Sequence, residues 1–119
     1  MTAFRALLVA VIVVVGAYTA PVILEHGLLV LLPTFFGDML TMDWPGQFNL
    51  DFFCFLIFSA TWLAWRHAFS PGGLALGIGG LLLGAPYLAI YLLVQSFRVD
   101  GDVAALFLGE ARAAALRAP

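Results

Sequence analysis

The sequence predicts an all-α integral membrane protein: three transmembrane helices, an interfacial or re-entrant segment in the first loop, and a short C-terminal interfacial helix. Two totals carry this prediction. Of the 119 residues, 64% are hydrophobic and 10% are charged, whereas soluble domains average roughly 45–50% and 25%. The mean hydropathy is +1.08. So little polar surface cannot coat a globule in water, and the length suits a single membrane domain.

The first predicted span, TM1, covers about residues 6–24. These 19 residues carry no charge, and as a helix they extend about 28 Å, enough for a hydrocarbon core of about 30 Å. The next apolar segment, about residues 28–40, contains Pro33 and Asp38. It is too short to cross, so we expect it to lie at the interface or to re-enter.

Two further spans follow. TM2 is expected at about residues 48–65, after a turn at Trp44-Pro45-Gly46, with Trp62 and Trp65 as interfacial anchors. TM3 is expected at about residues 74–94, inside a long uncharged run. After an Asp-Gly-Asp turn, a tail helix is expected at about residues 103–116, with Asp102 as its N-cap.

Charge favours a cytoplasmic amino terminus. The loop between TM1 and TM2 carries Glu25, Asp38 and Asp43 but no arginine or lysine, and positive charge collects on the cytoplasmic side of membrane proteins. With three spans, however, three of the five arginines would fall on the outer side. The prediction of a cytoplasmic amino terminus therefore depends on the absence of positive charge in the first loop.

Glycines form a regular stripe in TM3. Together with two tyrosines they recur at steps of three and four, which places them on one helical face. Small residues let membrane helices approach closely, so the glycines predict a packing seam, with Gly16-xxx-Ala20 or Ala60-xxx-Ala64 as its partner. The stripe consists of Gly73, Gly77, Gly80, Gly84, Tyr87 and Tyr91.

The same stripe predicts one polar pocket. TM3, with Pro86 as the site of an expected bend, would carry Gln95 and Arg98 to the membrane level at which TM2 begins and TM1 ends. Asp51 is the candidate general acid or base, with Arg98 as its ion-pair partner. Tyr87 and Tyr91 are candidates to orient a substrate or stabilise a cation. The expected pocket is lined by Asp51, Tyr87, Tyr91, Gln95 and Arg98, with Glu25 or His26 beside them.

Plainer structural roles remain open for these residues. Asn49 is a possible N-cap, which would place the Asp51 carboxylate in the first turn of TM2, next to the positive end of the helix dipole. The two tyrosines are also typical of an interfacial aromatic belt.

Several classes of chemistry find no support in the residues. A net charge of −2 argues against nucleic-acid binding, and the single cysteine, Cys54, excludes an internal disulfide. His26 and His67 follow different spans and are expected on opposite membrane faces, so they cannot share a metal. No catalytic motif is present. The sequence implies no metal and no identifiable cofactor.

The segment FNLDFFCFLIFSATWLAWRH, together with a third span containing Gly84 and Pro86, resembles a group of small uncharacterised three-span bacterial membrane proteins, a domain of unknown function. The resemblance implies a bacterial cytoplasmic membrane and no particular activity. We expect an accessory or assembly subunit of a larger membrane complex, in contact with lipid and with other subunits or further copies. The alternative is a small enzyme or binder that acts on a lipid or isoprenoid in the polar pocket.

Overall fold

The computed structural model describes residues 1–119 and is entirely helical, as predicted. By total length and composition alone, three helices are long and apolar enough to cross a membrane, and they correspond to the three expected spans. The helices are α1 (Thr2–His26), α2 (Leu31–Leu40), α3 (Trp44–Arg66), α4 (Pro71–Arg98), α5 (Val103–Leu108) and α6 (Glu110–Arg117).

Helix α4 is not one straight rod, and here the structure differs from the expected TM3. Gly84 has φ 70° and ψ −150°, far from helical values. The Tyr87 hydroxyl donates a hydrogen bond to the Leu76 carbonyl oxygen at 3.0 Å, although a straight helix would separate these residues by about 16 Å along its axis. The chain therefore folds back at Gly84 into two arms, residues 71–83 and residues 85–98.

Both arms of this α4 hairpin return to the same end of α3. In the first arm, Gly73 lies beside His67, the residue that follows α3. In the second arm, the Tyr91 hydroxyl lies 2.6 Å from the same His67 ring. The turn itself lies against Phe52 near the other end of α3. Pro86 follows as the second residue of the second arm, where a missing N–H costs nothing.

The first arm packs closely on α3 through its glycines. Gly73, Gly77 and Gly80 are buried, and a Cβ atom at Gly77 would lie 2.9 Å from the carbonyl oxygen of Ala60. Ala60 and Ala64 supply the opposing surface. The seam thus comprises three of the four predicted glycines, because Gly84 is used for the reversal.

Substituting Gly77 tests this seam. Gly77→Ala is expected to lower the free energy of unfolding by about 1–3 kcal/mol, because the added methyl group meets backbone that cannot move aside. Thermal unfolding of the purified protein in detergent measures the effect. Gly16→Ala is the matched control, since its Cβ would meet nothing within 4 Å. Equal effects at the two positions would contradict the seam.

The second arm holds α1. The Arg5 side chain donates to Ser96 Oγ at 3.0 Å and to the Ser96 carbonyl oxygen at 2.8 Å, and its guanidinium lies 3.9 Å from the centre of the Phe97 ring. Leu8 is the one buried residue of α1. Every residue from 16 to 26 is exposed, so α1 is attached to the rest of the protein through its first half.

Three local predictions need correction. Helix α3 begins at Trp44 with Asp43 as N-cap, so Trp44-Pro45-Gly46 is its first turn. Asn49 and Asp51 consequently lie in the second turn and do not cap the helix. The segment expected to be interfacial or re-entrant is not among these corrections: it contains helix α2, which packs on the start of α3 at Gly46. The expected tail helix is divided at Gly109, where φ is 86°.

Candidate functional site

Arg66, the last residue of α3, is the centre of a buried hydrogen-bond network. Its side chain is only 8% exposed. Nε donates to the Leu106 carbonyl oxygen at 2.7 Å, and Nη2 donates to the Ala105 carbonyl oxygen at 3.1 Å. No carboxylate pairs with Arg66, since the one ion pair of the chain joins Arg117 to Asp102.

The end of α5 explains how a guanidinium is buried without an acid. The last carbonyl groups of a helix have no partner within it and carry a partial negative charge. Leu106 presents such a carbonyl to Arg66. The Ala105 carbonyl oxygen accepts from Arg66 in addition to the Gly109 N–H. Asp102 fixes the position of this helix by capping its other end, as predicted, through a hydrogen bond from the Ala105 amide at 3.1 Å. The tail therefore docks on α3 through Arg66. A hydrogen bond from Trp62 Nε1 to the Phe107 carbonyl oxygen at 3.2 Å and the stacking of Arg112 on Trp65 contribute as well.

Tyr91 and His67 complete the network. Arg66 Nη1 donates to the Tyr91 hydroxyl at 2.8 Å, and that hydroxyl lies 2.6 Å from His67 Nε2. Because the hydroxyl accepts from Arg66, it is free to donate its proton to a neutral imidazole. Burial, and then the neighbouring Arg66 charge, lower the pKa of His67 below its usual 6.5.

This shift predicts acid sensitivity. Below about pH 6.5 the unfolded chain binds a proton at His67 before the folded protein does, so stability falls as pH decreases. We expect the melting temperature to drop by a few degrees between pH 7.5 and 5.5, and the drop to shrink in His67→Gln. His26→Gln is the matched control and should keep the full drop. A variant at His67 that behaves like wild type would contradict the prediction.

A cleft of about 430 Å³ opens beside this network. We refer to it as the arginine cleft. Its polar lining is mostly basic and comes from the end of α3, the end of α4 and the start of α6. The polar side chains that line it are those of Arg66, His67, Gln95, Arg98, Glu110 and Arg112.

A second cleft, of about 680 Å³, lies at the opposite end, between the exposed second half of α1 and helices α2 and α3. We refer to it as the α1 cleft. Its walls are largely apolar, with His26, Asp38 and Asn49 among its polar members. The Asn49 amide donates to the Phe35 carbonyl oxygen at 3.1 Å and to Asp38 Oδ2 at 3.3 Å, so this amide ties α3 to α2.

The predicted pocket is divided between these two ends. Gln95 and Arg98 line the arginine cleft, and Tyr91 contacts Arg66 behind it. Tyr87 lies between the two arms of α4, on Gly79.

At the other end, His26 lines the α1 cleft, and Glu25 and Asp51 are exposed without an ion pair. The expected pair of Asp51 with Arg98 is therefore absent. The physical reason is the reversal at Gly84, which returns the second arm to the end at which it started.

Sequence reasoning missed Arg66 and His67 as site residues. They follow TM2 directly, which is typical of a solvated helix end. The partners of Arg66 in α5 lie about 40 positions further along the chain, and the partner of His67, Tyr91, lies 24 positions further. One signal was available in the sequence. A capped helix in the apolar tail has backbone carbonyl groups at its end without a partner, and a nearby arginine can donate to them.

No protein-family model matches this chain, and no significant match is found among curated proteins or solved structures.

Proposed function

We propose that the protein lies in the cytoplasmic membrane with α1 and α3 crossing it and the α4 hairpin entering from the cytoplasmic side. Each arm of the hairpin has 13 or 14 residues, or about 20 Å, which is too short for a hydrocarbon core of about 30 Å. The hairpin therefore brings the amino terminus, the α3–α4 turn and the tail to one face.

Arginine distribution supports this topology. All five arginines lie at the end where α1 begins and α4 finishes: Arg5 on Ser96, Arg66, Arg98 and Arg112 around the arginine cleft, and Arg117 on Asp102. The opposite end carries four acids and no arginine. This distribution follows the positive-inside rule. Three complete spans would place three arginines on the outer side, and the hairpin removes that conflict.

Within that membrane we propose an accessory or assembly subunit of a larger complex. The observation that carries this proposal is the exposed second half of α1, residues 16–26. The face of α1 that packs on α4 through Leu8 continues through Thr19, Ile23 and His26, but the α4 hairpin stops short of it. A partner helix would complete the bundle there.

The composition of this face favours protein over lipid. Beside this face, a Cβ atom at Gly16 would meet nothing within 4 Å, and Ala20 follows four residues later; small residues at this spacing permit close approach of a second helix. Thr19 and His26 are polar, and polar groups at membrane depth gain from a hydrogen-bonding neighbour more than from acyl chains.

Photo-crosslinking in native membranes tests the proposal. A photoreactive residue at Thr19 is expected to yield one adduct of defined mass, with the partner recovered in fixed stoichiometry. Gly16→Leu with Ala20→Leu should abolish the adduct. Val14→Phe is the matched control, because position 14 is 67% exposed and lies on the opposite side of α1 from Thr19 and Ile23. A chain that purifies alone, with no adduct, would exclude a subunit role.

A second candidate function is binding of, or catalysis on, a lipid or isoprenoid. The α1 cleft favours it, since an apolar cavity of about 680 Å³ with a few polar groups suits such a ligand. The acid in this cleft is Asp38 rather than Asp51. Mass spectrometry of lipids extracted from the purified protein tests this candidate. A stoichiometric lipid retained by wild type and lost in Asn49→Leu would support it.

A further inference from the structure

We propose that the arginine cleft binds a phosphate group, supplied by the headgroup of an anionic phospholipid in the cytoplasmic leaflet. This site lies at the opposite end of the molecule from the surface proposed for the partner subunit. It is built by the end of α3, the end of α4 and the start of α6.

The charge inside the cleft is unbalanced. Three arginines line it, Arg66, Arg98 and Arg112, against the single carboxylate of Glu110. Glu110 forms no ion pair, because the one ion pair of the chain lies elsewhere. Like charges held close together raise the free energy of the empty protein, and a bound anion relieves that repulsion.

The arginines also have unused donors. Arg98 makes no hydrogen bond within the chain, and Arg112 uses only Nη1, which donates to the Leu108 carbonyl oxygen at 3.2 Å. The guanidinium of Arg112 is held 3.9 Å from the centre of the Trp65 ring. Stacking of this kind fixes the plane of the guanidinium and leaves its remaining N–H groups directed outward.

Arg66 forms a rigid floor of the arginine cleft. Its side chain is 92% buried, held by the α5 carbonyls and by Tyr91. A cluster with one fixed and two partly free guanidinium groups matches a phosphate, whose oxygens accept paired N–H donors from arginine.

The position of the cleft favours a lipid as the source of the phosphate. Trp65 lies in the last turn of α3 with Arg112 of the cleft stacked on it, and Trp62 lies just before that turn; tryptophan collects at the level of lipid headgroups. Basic side chains on the cytoplasmic side attract anionic lipid with about 1 kcal/mol each. A headgroup phosphate would therefore reach the cleft while its acyl chains pack along α3 or α4.

Native mass spectrometry of the full chain in a neutral detergent tests the site. Phosphatidylglycerol and phosphatidylcholine are titrated separately, and bound lipid is counted. We expect one phosphatidylglycerol retained in preference to phosphatidylcholine. Arg98→Gln and Arg112→Gln should each weaken its retention roughly fivefold, the equivalent of about 1 kcal/mol.

Arg117→Gln is the matched control. It removes the same charge from the same tail, but Arg117 lies outside the cleft on Asp102, so lipid retention should not change. If all three variants weaken phosphatidylglycerol retention equally, the effect is one of total charge and the proposal is overturned. Equal retention of phosphatidylglycerol and phosphatidylcholine would also overturn it. Circular dichroism of each variant verifies that it is folded.

A third titration identifies the source of the phosphate. Glycerol 3-phosphate carries the same group without acyl chains, and we expect it to displace phosphatidylglycerol only weakly. Complete displacement at equal concentration would assign the site to a soluble phosphate compound and overturn the lipid source. These readouts do not involve α1, so they stand apart from the crosslinking test of the subunit role.

Discussion

Arg66→Met is expected to cause the largest loss of stability of any single substitution in the tail interface. The change leaves the buried carbonyl oxygen of Leu106 without its donor. The Ala105 carbonyl oxygen keeps the Gly109 N–H, and the Tyr91 hydroxyl keeps His67. A buried polar group without a partner costs about 1–3 kcal/mol, and a loss of this size is expected. Limited proteolysis should then cleave the tail at residues 99–102.

Two further variants separate charge from geometry. Arg66→Lys keeps the charge but lacks the planar fork that reaches two carbonyls at once, so it should fall between wild type and Arg66→Met. Arg98→Met removes an arginine that makes no hydrogen bond in the chain, so it should not lower the melting temperature or the protection of the tail. Protection of the tail in Arg66→Met equal to wild type would show that α5 docks without help from Arg66.

Gly84→Leu is expected to change the path of the chain. The backbone of Gly84, with φ 70° and ψ −150°, lies in a region that is almost restricted to glycine and costs other residues about 1–3 kcal/mol. A side chain there also meets Phe52, which lies 3.2 Å from the position of a Cβ atom. A straight α4 of 28 residues is long enough to cross the membrane.

The tail reports which path the chain takes. In wild type we expect residues 99–119 on the same side of the membrane as the amino terminus. In Gly84→Leu, a straight α4 should place them on the opposite side. A cysteine at position 117 in a Cys54→Ser background, labelled with a membrane-impermeant reagent in sealed vesicles, distinguishes the two. Gly72→Leu is the control, because its Cβ would meet nothing within 4 Å. If wild-type labelling already matches a third span, the hairpin is wrong.

Composition and hydrophobic run length were enough to predict the all-helical class and the three long helices, because both depend on local sequence. The reversal at Gly84 was not predictable in the same way. By spacing alone, Gly84 is one more member of the series with Gly77 and Gly80, and a positive φ is decided by what surrounds it. The useful local signal was Pro86, two residues later, which suits the first turn of a new helix.

The predicted pocket failed for the same reason. Its members were assigned a depth by counting along a straight helix, so one wrong dihedral pair moved Gln95 and Arg98 to the other end of the molecule. Residue chemistry was still informative, since Tyr91 and Gln95 do take part in a polar network. Their partner is Arg66 rather than Asp51. The local sequence pattern was enough to predict which polar residues take part, but their contact partners depended on the path of the chain.

The attachment of α1 also has a consequence for the order of synthesis. Arg5 is anchored on Ser96, 91 positions later in the chain. While a ribosome is still making α3, α1 has emerged but the arm that will hold it does not yet exist. Long-range contacts of this kind form late. The nascent chain therefore presents α1 as a free apolar helix for most of its synthesis, and the partner subunit that we propose would have that interval in which to bind it.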